Sequence, residues 1–483
     1  MTNPVKAALL GCAASLAFAT FATTHYVSPT GAGEKDGSSP ENARSWSRVN
    51  DDYGLTDQKT PTFLAKGDTV KLLPGEYTMR VFRFTDAERD EITIEGDIAN
   101  PANVVITGGP GQAFFKCAGS FTVQGIYFTG TKCGQNFHVL DLYESTPSIT
   151  VRHCVFTDNA TTASAVSLKK AGAKAVIEDC EIRNWQSPYG AFTCDNECTD
   201  GNLTVRRCTF TDCIASIGAG LRKPKLTADC VFTRCSATDN HGGVIYRFAP
   251  DAVITNCVFE DCSAGSHYGG AICAANNPVV IVNSKFIGCS ALFGGAIYSD
   301  GIAVTCRDCL FDSNRLVDAD QTGGSVLRIK AANTNDNCTF VNNLGTASEK
   351  DRKNRAPIYN TQTPVTRNCL FWNNLDQEGG TPRATSDHNS ATVNCAADLE
   401  LGGTESALLS ASPFVDAEHG DWQLLRSVGG ARNPCLEGGV PLDWMTEGCL
   451  DLAGNPRIRD GATRPDLGCY EFTPESSFMI FLR

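Results

Sequence analysis

The chain has 483 residues, with 41 Lys and Arg against 54 Asp and Glu and a formal net charge of −13, and that acidic balance argues against nucleic acid and anionic membrane surfaces as partners. Its length exceeds one average domain, but an elongated repeat protein grows by adding units and needs no second core, so one domain with caps is expected.

Residues 1–22, MTNPVKAALLGCAASLAFATFA, carry Lys6, an apolar run and small residues up to Ala19 and Ala22, the pattern of a secretory signal peptide. A second reading takes Leu9-Leu10-Gly11-Cys12 as a lipobox that would leave a lipid on Cys12. No later stretch is long and apolar enough to span a bilayer. The mature chain is therefore expected to be exported, at the outer cell surface or extracellular, and monomeric. Residues 23–110 read as an N-terminal cap and first coils. HYVSPTGAGEKDG begins as a strand, SSPENARSWSRVNDDYG (38–54) offers about three turns of helix to cover the open edge of the first coil, and Gly67-Asp68-Thr69-Val70 leads into strand and turn.

Residues 111–395 are organised by a repeat. Two glycines open a short apolar run at Gly242, Gly269, Gly294 and Gly323, and a Val/Ile-rich run and a Cys/Ser-x-Phe triplet follow each time. The triplets begin at Cys154, Cys180, Cys208, Cys230, Cys257, Ser284, Cys309, Cys338 and Cys369, a period that means stacked supersecondary units. Five residues further a second column holds only Asn or Cys: Asn159, Cys213, Cys235, Cys262, Cys289, Asn314, Asn343 and Asn374. Within one unit Val253 and Thr255 share a parity, Cys257 and Phe259 continue the same face, and Asn256 reads as the turn between them. No helical period and no Asn-Gly hairpin turn runs through the units. The pattern specifies an all-β, right-handed parallel β-helix, in which like side chains stack about 4.8 Å apart into a continuous core.

Gly269-Gly270-Ala271-Ile272 and Gly294-Gly295-Ala296-Ile297, with Phe156 to Asn159, Phe311 to Asn314, Phe340 to Asn343 and Phe371 to Asn374, resemble the GGA(I/V) and FxxN repeats of chlamydial polymorphic outer membrane proteins. The opening, with its YVSPxG start and Gly67-Asp68 to Tyr77 turn, looks like the N-terminal module of the pectate-lyase superfamily. Residues 396–483, with Ser412-Pro413-Phe414, Asp421-Trp422, Asp451-Leu452-Ala453-Gly454-Asn455-Pro456-Arg457 and Asp466-Leu467-Gly468-Cys469-Tyr470-Glu471, resemble the C-terminal cap of surface β-helix proteins with choice-of-anchor domains. These resemblances imply the fold and a cell-surface location and leave catalysis open.

The 23 cysteines would ordinarily suggest disulfides in an exported chain. Most fall in the two repeat columns, where a small, buried, mildly apolar side chain is wanted. Disulfide candidates lie off the columns, at Cys194 with Cys198, Cys117 with Cys133, and Cys435 with Cys449. The acidic loop containing Asp195, Glu197 and Asp200 offers oxygen ligands for calcium, or is a solvated, disulfide-pinned turn.

For chemistry, the strand after the glycines gives an outward column of Arg222, Tyr246, Cys273, Tyr298 and Leu327, with Lys223, Arg247 and Arg328 beside it and Lys169, Lys170, His241 and His267 in nearby segments. Arg222, Tyr246, Tyr298 and Arg328 would bind an acidic glycan without reacting. Lys223, Arg247, Tyr246 and His241 would suit β-elimination on a uronate, because a cation neutralises the carboxylate and helps take the α-proton. The coils contain neither the Asp-Asp pair nor the Gly-His-Gly of polygalacturonase-like hydrolases, and no nucleotide loop, zinc helix or nucleophile elbow is present. The first expectation is a non-catalytic scaffold for adhesion or glycan contact, and the alternative is a polysaccharide lyase or glycoside hydrolase.

Overall fold

The computed structural model describes residues 22–46, 63–78, 82–84, 90–111, 115–117, 119–133, 138–142, 148–159, 163–199, 201–239, 241–317, 323–345, 356–360, 362, 364–385, 391–446, 448–458 and 461–473. Its strands form three long parallel sheets of 15, 14 and 11 strands, here A, B and C, and a complete coil contributes one strand to each. In one coil, Ala252–Thr255 lies in sheet A, Val258–Glu260 in sheet B and Ile272–Ala274 in sheet C, and Val279–Val282 then pairs with Ala252–Thr255 to begin the next turn. A parallel β-solenoid results.

Single residues in the left-handed region make the two corners. Asn256 (φ 52°) turns sheet A into sheet B, and Asp261 (φ 51°) ends the sheet B strand. Asn and Asp tolerate this conformation better than other non-glycine residues, and they fill most of these two rows from Asp158 to Asn394. The corner also shifts the side-chain alternation. Cys257 and Phe259 are buried as expected, but Val253 and Thr255 face outward and Ala252 and Ile254 fill the interior.

Inside, Phe210, Phe232, Phe259, Phe286, Phe311, Phe340 and Phe371 stack with ring centres 4.6 to 5.0 Å apart. The cysteines of both columns are buried free thiols. Each lies on backbone carbonyls, as where Cys257 Sγ donates to Thr227 at 3.6 Å and Thr255 at 3.3 Å. Ser284 does the same work in that column, its hydroxyl donating to the Val282 carbonyl at 2.9 Å and accepting from the Cys257 amide at 3.2 Å. Cys257→Ser is therefore expected to cost less than about 1.5 kcal/mol, read as a small change in the thermal midpoint. The second column continues as an amide ladder from Asn314 to Asn374. It is broader than Asn and Cys, because Trp185 occupies it in one coil, with its backbone carbonyl accepting from the Ile214 amide and its indole donating to the Ala163 carbonyl at 2.8 Å.

The glycine pair has a steric cause. A Cβ on Gly270 would stand 2.1 Å from the Gly295 carbonyl oxygen of the next coil, so the stacking distance itself requires glycine there. Gly270→Ala is expected to abolish folding or cost more than about 3 kcal/mol, measured by urea unfolding of whatever soluble protein remains.

The ends depart from expectation. Residues 38–45 form no helix: Pro40–Asn42 is one 3-10 turn, and Arg44–Ser45 is a strand on the edge of sheet A against Val27 and Ser28. A strand satisfies the open edge's amides and carbonyls directly, as a helix laid over it would not. Trp46 is helical, and residues 47–54, the rest of the expected helix, lie outside the described residues, as do residues 55–62 and 1–21. At the other end, residues 414–472 turn back along the flank of the solenoid. Phe414–Asp416 and Asp421–Leu424 form an antiparallel hairpin, and Phe414, Trp422, Leu436, Leu467 and Tyr470 make a second apolar core with Leu310, Val341 and Leu370 on the outer face of sheet B. Trp422 Nε1 donates to Asp312 at 3.0 Å, Trp444 Nε1 to Asp336 at 2.8 Å, and the buried Arg457 pairs with Asp308 and Glu471. No described helix is long and apolar enough to cross a membrane.

Candidate functional site

Each strand of sheet C is so short that one residue per coil points outward. Register makes these a single column, Thr193, Arg222, Tyr246, Cys273, Tyr298, Arg328 and Tyr359. The expected column is thus right through Tyr298 and wrong at Leu327, which is fully buried and pairs with Ile297, while Arg328 takes the outward position. The repeat unit there begins at Gly324, not Gly323: Gly324 (φ 50°) stands where Gly294 (φ 61°) stands one coil earlier.

A second row runs beside the column. The residue before the first glycine is aromatic in several coils: Tyr189, His241, Tyr268 and Phe293. Tyr268 is the centre of this row, stacked on His241 at 4.3 Å and lying 4.6 Å from Tyr298 and 5.1 Å from Phe293. Where the row reaches Gly323 it has no side chain, and a Cβ there would meet Arg328 Cδ at 2.6 Å. The space is taken by the Arg328 guanidinium, 3.8 Å from the centre of the Phe293 ring, a cation–π arrangement.

Three of the expected residues converge on one loop. Residues 195–197 are closed by the Cys194–Cys198 disulfide, as expected. Arg222 and Arg247 both donate to Asn196 Oδ1, at 2.9 and 3.1 Å, and Lys223 Nζ donates to the carbonyls of Asp195, Asn196 and Cys198 at 3.2 to 3.4 Å. Arg247 also lies 4.9 Å from the Tyr246 ring centre and Arg222 lies 5.0 Å from that of Tyr189. His241 is not part of this cluster; it belongs to the aromatic row, 6.4 Å from Tyr246 and 5.9 Å from His267. Burial pushes the Lys223 ammonium down, and Arg222 and Arg247 push it the same way; burial likewise lowers Arg222 and Arg328. In the calcium candidate, Asp195 faces Lys169 at 3.9 Å and Arg222 at 3.8 Å, Glu197 pairs with Lys170, and Asp200 lies outside the described residues. Lys169, Lys170, Tyr189, Asp195, Asn196, Glu197 and Arg222 line a cleft of about 630 Å³.

Cys435 and Cys449 do not pair. Cys435 is buried under the C-terminal core, and Cys449 places its sulfur against the Trp444 carbonyl at 3.4 Å. The Cys117–Cys133 pairing falls on a side chain outside the described residues. The sequence reading passed over Tyr189, Asn196, Tyr268, Phe293 and Tyr359. An aromatic residue directly before the glycine was a visible signal for three of them. Asn196 had none, because its importance comes from two arginines one and two coils away.

A family model described as "Right handed beta helix region" matches residues 199–374, and the solenoid is a right-handed parallel β-helix. No curated protein sequence matches the chain. Among solved structures it is similar to pectate lyase Pel9A, at 13% identity over 93% of this chain and 96% of that one with a TM-score of 0.38. It is also similar to a PL6 alginate lyase in complex with trisaccharide, at 12% identity over 85% and 92% with a TM-score of 0.48. A third similar structure is a mannuronic acid-specific polysaccharide family 6 lyase from human gut microbiota, at 15% identity over 72% and 86% with a TM-score of 0.43.

Proposed function

We propose that this β-helix is an exported, monomeric surface or extracellular protein that binds an acidic polysaccharide along the outer face of sheet C. The observation that carries this reading is the ladder of Arg222, Tyr246, Tyr298 and Arg328 flanked by Tyr268 and Phe293. Tyr246, Tyr268 and Phe293 keep part of their rings exposed and offer apolar surface to sugar faces, while Tyr298 is buried against Tyr268. Arg222 is buried beside Arg247, and burial also desolvates Arg328, so both guanidinium groups gain from an added anion. The signal-peptide pattern of residues 1–22 and the resemblance of the repeats to outer membrane proteins support the surface location.

Binding to a panel of uronate-containing polysaccharides, followed by titration calorimetry, tests the proposal. Affinity is expected to fall as salt rises, and Arg247→Ala with Arg328→Ala together to weaken binding about tenfold or more, equivalent to about 1.4 kcal/mol. No uronate polymer binding at low salt would refute it.

A lyase reading rests on Lys223, Arg247 and Tyr246 standing together. Arg247 would neutralise the uronate carboxylate and so acidify the C5–H, Lys223 as the free amine would take that proton, the C4–O4 glycosidic bond would break as the C4=C5 double bond forms, and Tyr246 would protonate the departing O4. The three carbonyl bonds of Lys223 Nζ favour a structural ammonium over a base, so binding without turnover is the first reading. Absorbance from unsaturated products that disappears in Arg247→Ala would reverse that order.

A further inference from the structure

Resting on that reading, we infer that Asn196 is a positioning residue of this face, whose neutral side-chain oxygen gathers Arg222 and Arg247 and leaves charge there for a ligand carboxylate. The two arginines come from successive coils: Arg222 pairs in register with Tyr246, and Arg247 directly follows Tyr246 in the chain. Both donate to Asn196 Oδ1, at 2.9 and 3.1 Å, so a single uncharged oxygen holds two like charges together. Guanidinium groups gathered in this way favour an anion that reaches both.

The loop's own carboxylates meet only part of the surrounding charge. Glu197 pairs with Lys170, and Asp195 lies between Lys169 at 3.9 Å and Arg222 at 3.8 Å. Lys223 and Arg247 form no ion pair with a described carboxylate; three backbone carbonyls hold the lysine and Asn196 Oδ1 holds the arginine. Those two positive charges are met by dipoles alone. Arg247 is half-buried beside the partly exposed ring of Tyr246, where a carboxylate on a sugar laid against that ring would reach it. Asn196 can keep its place because the loop is closed twice, by the Cys194–Cys198 disulfide and by the Lys223 ammonium on the carbonyls of residues 195, 196 and 198. An acceptor fixed before the ligand arrives spares the ordering cost of binding. An aspartate at this position would itself be the anion, so the amide is what keeps the pair receptive.

Calorimetric titration with galacturonate and mannuronate oligomers, with the thermal midpoint measured alongside, tests the assignment. Asn196→Asp places a carboxylate between the two arginines, so it is expected to keep or raise the midpoint while weakening binding about tenfold. Asn196→Ala adds no charge and should still weaken binding about threefold or more, because the arginines are no longer held together. Cys194→Ala with Cys198→Ala should weaken it to the same degree. Arg247→Ala should cost about fivefold in the wild type but less than about twofold in the Asn196→Asp protein, where the charge of that arginine is already met. Asn196→Ala or the double cysteine variant binding as tightly as the wild type, or Arg247→Ala costing as much in the Asn196→Asp protein as in the wild type, overturns this inference and leaves the acidic-glycan reading standing. If the wild type binds neither oligomer at low salt, both fall.

Discussion

Replacing Arg457 by alanine is expected to cost about 3–5 kcal/mol and to release the C-terminal segment from the flank of the solenoid. The guanidinium is buried, with Asp308 on one side, Glu471 at 2.6 Å on the other and the Gly468 carbonyl at 3.0 Å. Without it two carboxylates remain in a dry site with no cation. Limited proteolysis with urea unfolding checks this: the variant should be cut first beyond residue 396 while the coils remain protected, and a loss under about 1 kcal/mol would show that the lock is not needed.

The same site sets a pH dependence. Burial pushes Asp308 up from 3.8 to about 7 and Glu471 from 4.5 to about 7, with Arg457 pulling each the other way. One arginine cannot offset two carboxylates, so the direction is upward. A carboxylate whose folded value lies above its unfolded value binds more protons when folded. Its stabilising contribution is present at acid pH and is lost as pH rises through the folded value. Protection of the C-terminal segment should therefore weaken as pH is raised from about 5 to about 8, and protection that strengthens over that range would contradict the assignment.

Asn343→Leu is the second large effect, expected at about 3–5 kcal/mol from groups that each cost about 1–3 kcal/mol when left unpaired in the interior. Asn343 Nδ2 donates to the Phe311 carbonyl at 2.9 Å and to Asn374 Oδ1 at 2.7 Å. Its Oδ1 accepts from the Asn314 amide at 2.9 Å and side chain at 3.0 Å. Leucine fills the volume and strands the Phe311 carbonyl and the Asn314 amide. Asn343→Cys should be milder, because cysteine occupies this column in four earlier coils, where Cys289 Sγ reaches the Phe259 carbonyl at 3.5 Å. Equal urea midpoints for the two variants would show that the ladder contributes packing and no bonding.

The candidate site was only partly legible. Arg222, Tyr246, Cys273 and Tyr298 fell into one column because the glycine pair is a local marker that fixes register four residues on. Arg328 was displaced by one position because Gly323-Gly324-Ser325 offers two places to start counting. The role of Lys223 could not be read at all: a lysine beside two arginines looks like a base in sequence, and only the fold shows its ammonium holding the carbonyls of residues 195–198.

Sequence alone determined the solenoid, since corners, glycines and stacked columns recur every coil and each copy sits beside the next in space as well as in order. Tertiary structure decided the rest. Arg457 meets Asp308 across 149 residues, and Trp422 and Trp444 find their aspartates across 110 and 108. No period connects such partners. Leu310, Val341 and Leu370 stand in outward register columns that also hold the exposed Val231 and the partly exposed Val258 and Ile287 of earlier coils, so no local pattern marks them as covered, and what covers them depends on where a distant segment can bury its own tryptophans and leucines.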